Sequence, residues 1–171
     1  MGRRDFHKMI IGRSETLDFV DFDLRGIPAK TDTGAYRAAI HASDIHVDES
    51  TGTLYFTLLG GHPQFGSLER RIETQDFRKV WIESSNGQGE NRYEVKLKVK
   101  LGPKVFTTSF SLANRAGRVY PVLLGRKLMS ERFLVDTSLT GVDRAELKEK
   151  YGVELPKDEE GEYENSDSIE G

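Results

Sequence analysis

Asp32-Thr33-Gly34-Ala35 is the segment whose residue types point most directly to chemistry. It directly follows the apolar stretch Ile27–Thr31, so it places a carboxylate at the end of a strand, with Gly34 leaving room for a second backbone to approach. A single aspartate in such a turn is no catalyst, and Asp-Thr-Gly is also ordinary turn chemistry. Two such carboxylates facing each other across a twofold axis are different. Two negative charges that close cannot both persist, so the pair shares one proton and titrates as a unit. One carboxylate then takes a proton from a trapped water while the other carboxyl donates to the scissile carbonyl oxygen. Thr33, next to the aspartate, has a hydroxyl that can bond across to its mate.

The other chemically able residues have competing structural readings. His41 and His46 are five positions apart, which suits neither a helix face nor one strand face, and with His62 they read as core or solvated histidines. No cysteine is present, which removes disulfides, thiolate metal sites and a cysteine nucleophile. Lys96, Lys98 and Lys100 form a basic stripe that reads as a solvated sheet face, with nucleic acid or an acidic peptide as the functional alternative. Ser84-Ser85-Asn86-Gly87 suits a hairpin turn, while its neighbours Glu90 and Arg92 make it equally a substrate-facing candidate. Arg115, after Asn114, either lines a groove or forms an ion pair, and the ion pair is favoured. Trp81 reads as core.

The elements that must hold these groups are mostly strands. In Tyr93–Leu101 every odd position is apolar and every even one charged, the period of a strand with one buried face. Gly102-Pro103-Lys104 turns it, and Phe106, Thr108, Phe110 and Leu112 continue on a returning strand. Further strand candidates are Lys8–Gly12, Thr16–Phe22, Ile27–Thr31, Ile45–Val47, Leu54–Leu59, Lys79–Glu83, Val119–Leu124 and Phe133–Val135. Many short strands at close spacing predict an all-β sandwich or barrel. Arg126–Arg132 suits a short helix, and Asp143-x-x-Glu146 is a capping-box pattern that predicts a second over Arg144–Tyr151, stopped at Gly152. Beyond Pro156 the chain is too polar to bury and reads as disordered. The expected organisation is a barrel over 1–141, a helix and extension over 142–156, and an acidic tail over 157–171.

At 171 residues the chain has room for one domain with extensions. Charge is uneven: residues 1–141 hold 21 basic and 17 acidic side chains, a net of +4, whereas residues 142–171 hold 4 and 11, a net of −7. No stretch approaches the roughly 18 apolar residues of a membrane span. Met9-Ile10-Ile11 is too short for the apolar region of a signal peptide. The expectation is a cytoplasmic protein without membrane association.

Pro121-Val122-Leu123-Leu124-Gly125-Arg126-Lys127-Leu128 is an apolar strand ending in glycine, followed by a short helical stretch. Together with Asp32-Thr33-Gly34-Ala35 it resembles the retropepsin pattern. The resemblance is closest to retropepsin-like proteins encoded beside ATP-grasp ligases and often labelled ATP-dependent zinc proteases. Ile11-Gly12-Arg13-Ser14-Glu15, Ala29–Ala35, Ser84-Ser85-Asn86-Gly87 with Glu90-x-Arg92, Asn114-Arg115, Leu123-Leu124-Gly125-Arg126 and Phe133-Leu134-Val135-Asp136 follow that group in its order, so the resemblance covers about Ile10 to Asp136. It implies a small closed acid-protease barrel of six strands, a homodimer, and a flap over a peptide-like substrate. Asp32 would be the catalytic carboxylate, Thr33 and Gly34 would fix its turn, and Leu124, Gly125 and Arg126 would support it. Ala35, Ser85, Asn86, Gly87, Glu90, Arg92, Asn114 and Arg115 are the substrate or flap candidates. The flap is expected between Gly60 and Gly89, with Gly60-Gly61 and Asn86-Gly87 as mobile ends.

Three departures stand out. Asp32 and Leu123 are 91 positions apart, longer than in compact viral retropepsins. Viral enzymes carry an acidic residue four positions after the aspartate, facing the arginine of the Gly-Arg pair. Tyr36 stands there, so Arg126 needs another partner. The zinc label finds no His-Glu-x-x-His, no cysteine and no Gly-x-x-x-x-Gly-Lys loop, so no metal and no cofactor is expected.

The resulting expectation is a homodimeric aspartic-type hydrolase of peptide or amide-linked conjugate bonds, with an acidic substrate and a functional link to an ATP-grasp ligase. The alternative from another class is a non-catalytic β-barrel module that binds a peptide or single-stranded nucleic acid in the same groove.

Overall fold

A computed structural model describes residues 8–83 and 86–141 together with Glu149. Apart from Glu149, the expected helix at Arg144–Tyr151 and the acidic tail lie outside the described residues, as does Ser85. The chain runs β1 (Met9–Ile11), β2 (Ser14–Phe19), β3 (Leu24–Thr31), β4 (Ala38–Asp48), β5 (Thr53–Leu58), β6 (Arg70–Thr74), β7 (Phe77–Glu83), β8 (Gly89–Leu101), β9 (Lys104–Ala113), β10 (Val122–Leu124), α1 (Arg126–Met129) and β11 (Phe133–Val135). None of the described helices is long and apolar enough to cross a membrane.

Six strands close into a barrel in the order β10-β3-β2-β8-β9-β4, and β4 pairs back onto β10. The β8–β9 hairpin forms as its alternation predicts, with Leu97 opposite Thr108 and Val99 opposite Phe106. Val95, Leu97, Val99 and Leu101 turn inward, where they join Leu17, Phe19, Ile27, Ile40, Phe110 and Leu124 in one continuous core. Phe19 and Phe110 meet edge to face at 5.6 Å between ring centres, a geometry that adds to area burial. Each such side chain contributes about 1.5–3 kcal/mol on burial.

Two strands depart from the sequence pattern. β4 extends back to Ala38, well before Ile45–Val47. Its Ala38-Ala39-Ile40-His41-Ala42 stretch is buried on both faces, so it shows no alternation, and alanine is a weak strand former. β6 holds a single large apolar residue, Ile72, and sits at the sheet edge beside β5, where little burial is required. Outside the barrel, β1 and β11 form a small parallel pair, with Ile10 opposite Leu134.

β8 is the longest strand at 13 residues and serves two partners. Its second half closes the barrel against β2, while its first half pairs with β7, Trp81 lying opposite Asn91. The β7–β8 hairpin is therefore an arm projecting from the barrel wall.

Candidate active site

Asp32 sits where β3 leaves the barrel. β10 lies in parallel beside β3 and antiparallel to β4, so three strands converge on the turn. Asp32 N–H donates to the Leu124 carbonyl at 3.0 Å. The turn then folds onto its own carboxylate: Gly34 N–H and Ala35 N–H donate to Asp32 Oδ1 at 2.9 and 3.2 Å. A β-carbon on Gly34 would lie 3.2 Å from that oxygen, a tight contact that the glycine avoids.

The strand-to-helix segment clamps the turn from the other side. Arg126 N–H and Lys127 N–H, free at the start of α1, donate to the carbonyls of Ala35 and Tyr36, each at 2.8 Å. Gly125 passes so close that a β-carbon there would lie 2.5 Å from the Arg37 carbonyl carbon and oxygen. Arg126, lacking an acid at position 36, donates from Nη1 to the Thr33 carbonyl at 3.0 Å and stands 5.9 Å from the centre of the Tyr36 ring. Leu124 faces the core, while Leu123 packs on the opposite side with Ala35, Ala39 and Ala113.

Beside the turn opens a cleft of about 390 Å³, lined on one wall by Gly34, Ala35, Tyr36 and Arg37 and on the other by Trp81, Ile82, Glu83 and Arg92. Its floor is apolar, from Ala39 and Leu123, with Ser111 as a polar member. Trp81 is 59% exposed, contrary to its reading as core. It points out of the arm because no described element covers that face of β7, and its indole lies over Gly89, where a β-carbon would collide with the ring.

One member of the site has no signature in the sequence. Glu94 continues the alternating charges of β8, yet it is 3% exposed. Arg37 Nη1 donates to its Oε2 at 2.5 Å, Arg78 Nη2 lies 2.7 Å from Oε1, and Lys127 Nζ 3.7 Å from the same oxygen. Burial alone would raise its pKa, but hydrogen bonds from Arg78 and Arg37 outweigh that and hold it below the usual glutamate value.

The remaining candidates disperse. Arg92 lines the cleft and pairs with Glu90 at 2.5 Å. Asn86 accepts from Gln88 N–H at the end of the arm, and Gly87 has φ of +83°, which favours glycine. Asn114 accepts from Ala116 N–H in a local turn. Arg115 is buried away from the cleft lining, its Nε donating to the Tyr120 carbonyl at 3.1 Å. Gly60-Gly61 also differs from expectation: Gly60 is packed against Ser43 and Thr57, and its carbonyl accepts from His41. Gly60 therefore lies in a pinned turn after β5, and the β7–β8 arm is the element that walls the cleft opposite the Asp32 turn.

His41 and His62 are both 3% exposed, their rings edge to face at 5.3 Å. His41 Nδ1 accepts from Arg115 N–H at 2.8 Å, so its Nε2–H donates to Gly60. His62 Nδ1 accepts from Gln64 N–H and its Nε2–H donates to the Arg118 carbonyl. Desolvation lowers both pKa values, that of His62 to about 4. All four ring nitrogens are occupied by protein partners. Among the described residues no three histidine, aspartate or glutamate side chains gather as a metal site would require.

Comparison with known proteins follows the same outline. A family model described as RimB-like, for the retropepsin-like aspartic endopeptidase RimB, matches residues 10–146. Proteins named probable alpha-L-glutamate ligase are similar: one from Desulfotalea psychrophila is 30% identical over 91% of this chain, and one from Shewanella pealeana 33% identical over 88%. The chain spans about a third of the length of these relatives, 34% in each case. The crystal structure of a Legionella pneumophila protein of unknown function superposes with a TM-score of 0.61 at 33% identity, covering 77% of this chain and 95% of that one.

Proposed function

Because the chain belongs to the RimB-like family of retropepsin-like aspartic endopeptidases, we propose that it is a homodimeric peptidase whose two Asp32 carboxylates share a proton and activate water. The observation that carries this reading is the geometry of the turn. Two N–H groups fix Asp32 Oδ1, and backbone bonds from residues 124–127 hold the loop, so the carboxylate is oriented before any partner arrives. Oδ2 is then the oxygen for water and for the symmetry mate. Water adds to the carbonyl carbon, giving one proton to the ionised carboxylate, while the protonated carboxyl delivers its own to the carbonyl oxygen. Collapse of the tetrahedral adduct breaks the C–N bond: the amine leaves with the proton that water gave up, and one hydroxyl of the adduct returns its proton to the other carboxylate, restoring the dyad.

For the substrate we infer a glutamyl peptide, the kind of chain an alpha-L-glutamate ligase extends. The relatives' names and their greater length support a domain working beside such a ligase. The net +4 of residues 1–141 favours an acidic chain electrostatically, while Arg37 and Arg92 in the cleft walls are already paired with Glu94 and Glu90.

The test is cleavage of oligoglutamate and of a neutral peptide by wild type and by Asp32→Asn, a nearly isosteric change. We expect faster cleavage of the acidic peptide, and a loss of about a thousandfold or more in the variant with its circular dichroism unchanged. Retained cleavage in Asp32→Asn would sink the dyad. Full specific activity from a species that sediments as a monomer would sink the dimer.

A further inference from the structure

The two walls of the cleft belong to elements that share few backbone bonds. β7 hydrogen-bonds to β8 alone among the described strands, and the turn from Asp32 to Arg37 is held by β10 and α1. What joins the walls is a carboxylate. Glu94 leaves β8 at the base of the arm, and its side chain is 2% exposed. Its Oε1 takes Arg78 of β7, from Nε at 2.8 Å and Nη2 at 2.7 Å. Its Oε2 takes Arg37, which itself lines the cleft, and Lys127 adds a third cation from α1.

From this convergence we propose that Glu94 is a positioning residue that sets the β7–β8 arm against the catalytic turn, through Arg78 on one side and Arg37 with Lys127 on the other. The role in turnover rests on the peptidase reading, but the clamp itself does not. A buried carboxylate facing three cations resists replacement by a neutral group, because its charge-assisted hydrogen bonds to Arg37 and Arg78 are then lost. An amide in its place keeps the shape and loses the pull. The arm would then swing on its β8 connection, and the cleft would no longer hold a substrate at a fixed distance from Asp32.

Trp81 is the chain's one tryptophan and stands on the arm's cleft face, so its fluorescence reports the clamp without any substrate. The experiment measures acrylamide quenching of Trp81 in wild type, Glu94→Gln, Arg78→Met and the double variant, at a temperature where circular dichroism shows each folded. Arg78 is largely exposed, so Arg78→Met keeps the test available should Glu94→Gln fail to fold. We expect about a twofold rise in the quenching constant in either single variant, and no further rise in the double variant, since both break the same link. A Leu17→Ala control, which weakens the distant core in β2, should leave quenching unchanged.

With oligoglutamate as substrate, kcat/KM should fall about tenfold in both single variants. Unchanged quenching in both, additive rises in the double variant, or an equal rise in Leu17→Ala would overturn the clamp. If wild type cleaves no peptide, the peptidase reading fails, while the fluorescence still decides the role of Glu94.

Discussion

Two buried polar clusters lie around the same barrel, and they solve the problem of burial in opposite ways. At the arm, Glu94 stays charged because three cations surround it. At the turn after β5, His41 and His62 stay neutral because desolvation depresses their basicity and every ring nitrogen already has a backbone partner. Burial opposes charge in both places. The partners decide the outcome: side-chain cations in one, backbone amides and carbonyls in the other. The consequences differ too. The first cluster joins three elements by long, partly exposed side chains that can let go. The second staples Gly60 and Gln64 to the loop at Arg115–Arg118 through short bonds to the main chain, a corner suited to stay fixed.

The sharpest way to break this contrast is to remove a charge from the first cluster. Glu94→Ala should cost about 4 kcal/mol in urea unfolding at neutral pH, because the charge-assisted hydrogen bonds from Arg37 and Arg78 are lost together. A loss no larger than that of an exposed surface change would mean that the carboxylate is not holding those elements.

Acid should attack the second cluster first. His62 titrates at 6.5 when unfolded and at about 4 when folded, so below 6.5 the unfolded chain takes up the proton first. Stability present above that pH should therefore fall progressively from 6.5 to about 4, by up to about 3 kcal/mol. His62→Gln should lower stability at neutral pH yet flatten the slope between about pH 7 and about pH 5. An unchanged slope in that variant would remove His62 from the account.

The smallest expected effect is the most local. Gly89→Ala places a methyl against the Trp81 indole and should displace the ring, changing its emission and quenching with a stability loss of about 1 kcal/mol or less. Emission identical to wild type would show that the ring does not rest on Gly89 in solution.

Much of the barrel is legible in the sequence. The alternation of Tyr93–Leu101, the turn at Gly102 and the order of short strands led directly to the β8–β9 hairpin and the all-β class. Asp32–Ala35 and Leu123–Arg126 were legible as a pair through family resemblance, and they do meet, because the parallel pairing of β10 with β3 brings Leu124 beside Thr31. Arg115 and Asn114 stood equally close to that pattern in sequence, yet Arg115 turns inward to Tyr120 and Asn114 caps a local turn. Adjacency to a motif says nothing about which way a loop faces.

What the sequence determined by itself is whatever depends on neighbours along the chain: strand period, the glycine-dependent turns, and the carboxylate at a strand end. Tertiary structure decided which charges are buried. In sequence, Glu94 is one more polar position in an alternating strand, indistinguishable from Lys96. Only the meeting of β7, α1 and the Arg37 segment over that one position supplies the cations that let a carboxylate remain ionised out of water. Trp81 shows the converse. A large apolar side chain reads as core, but no described element lies above its strand, so the ring faces the cleft. Both outcomes depend on residues distant along the chain, and local pattern carries no record of them.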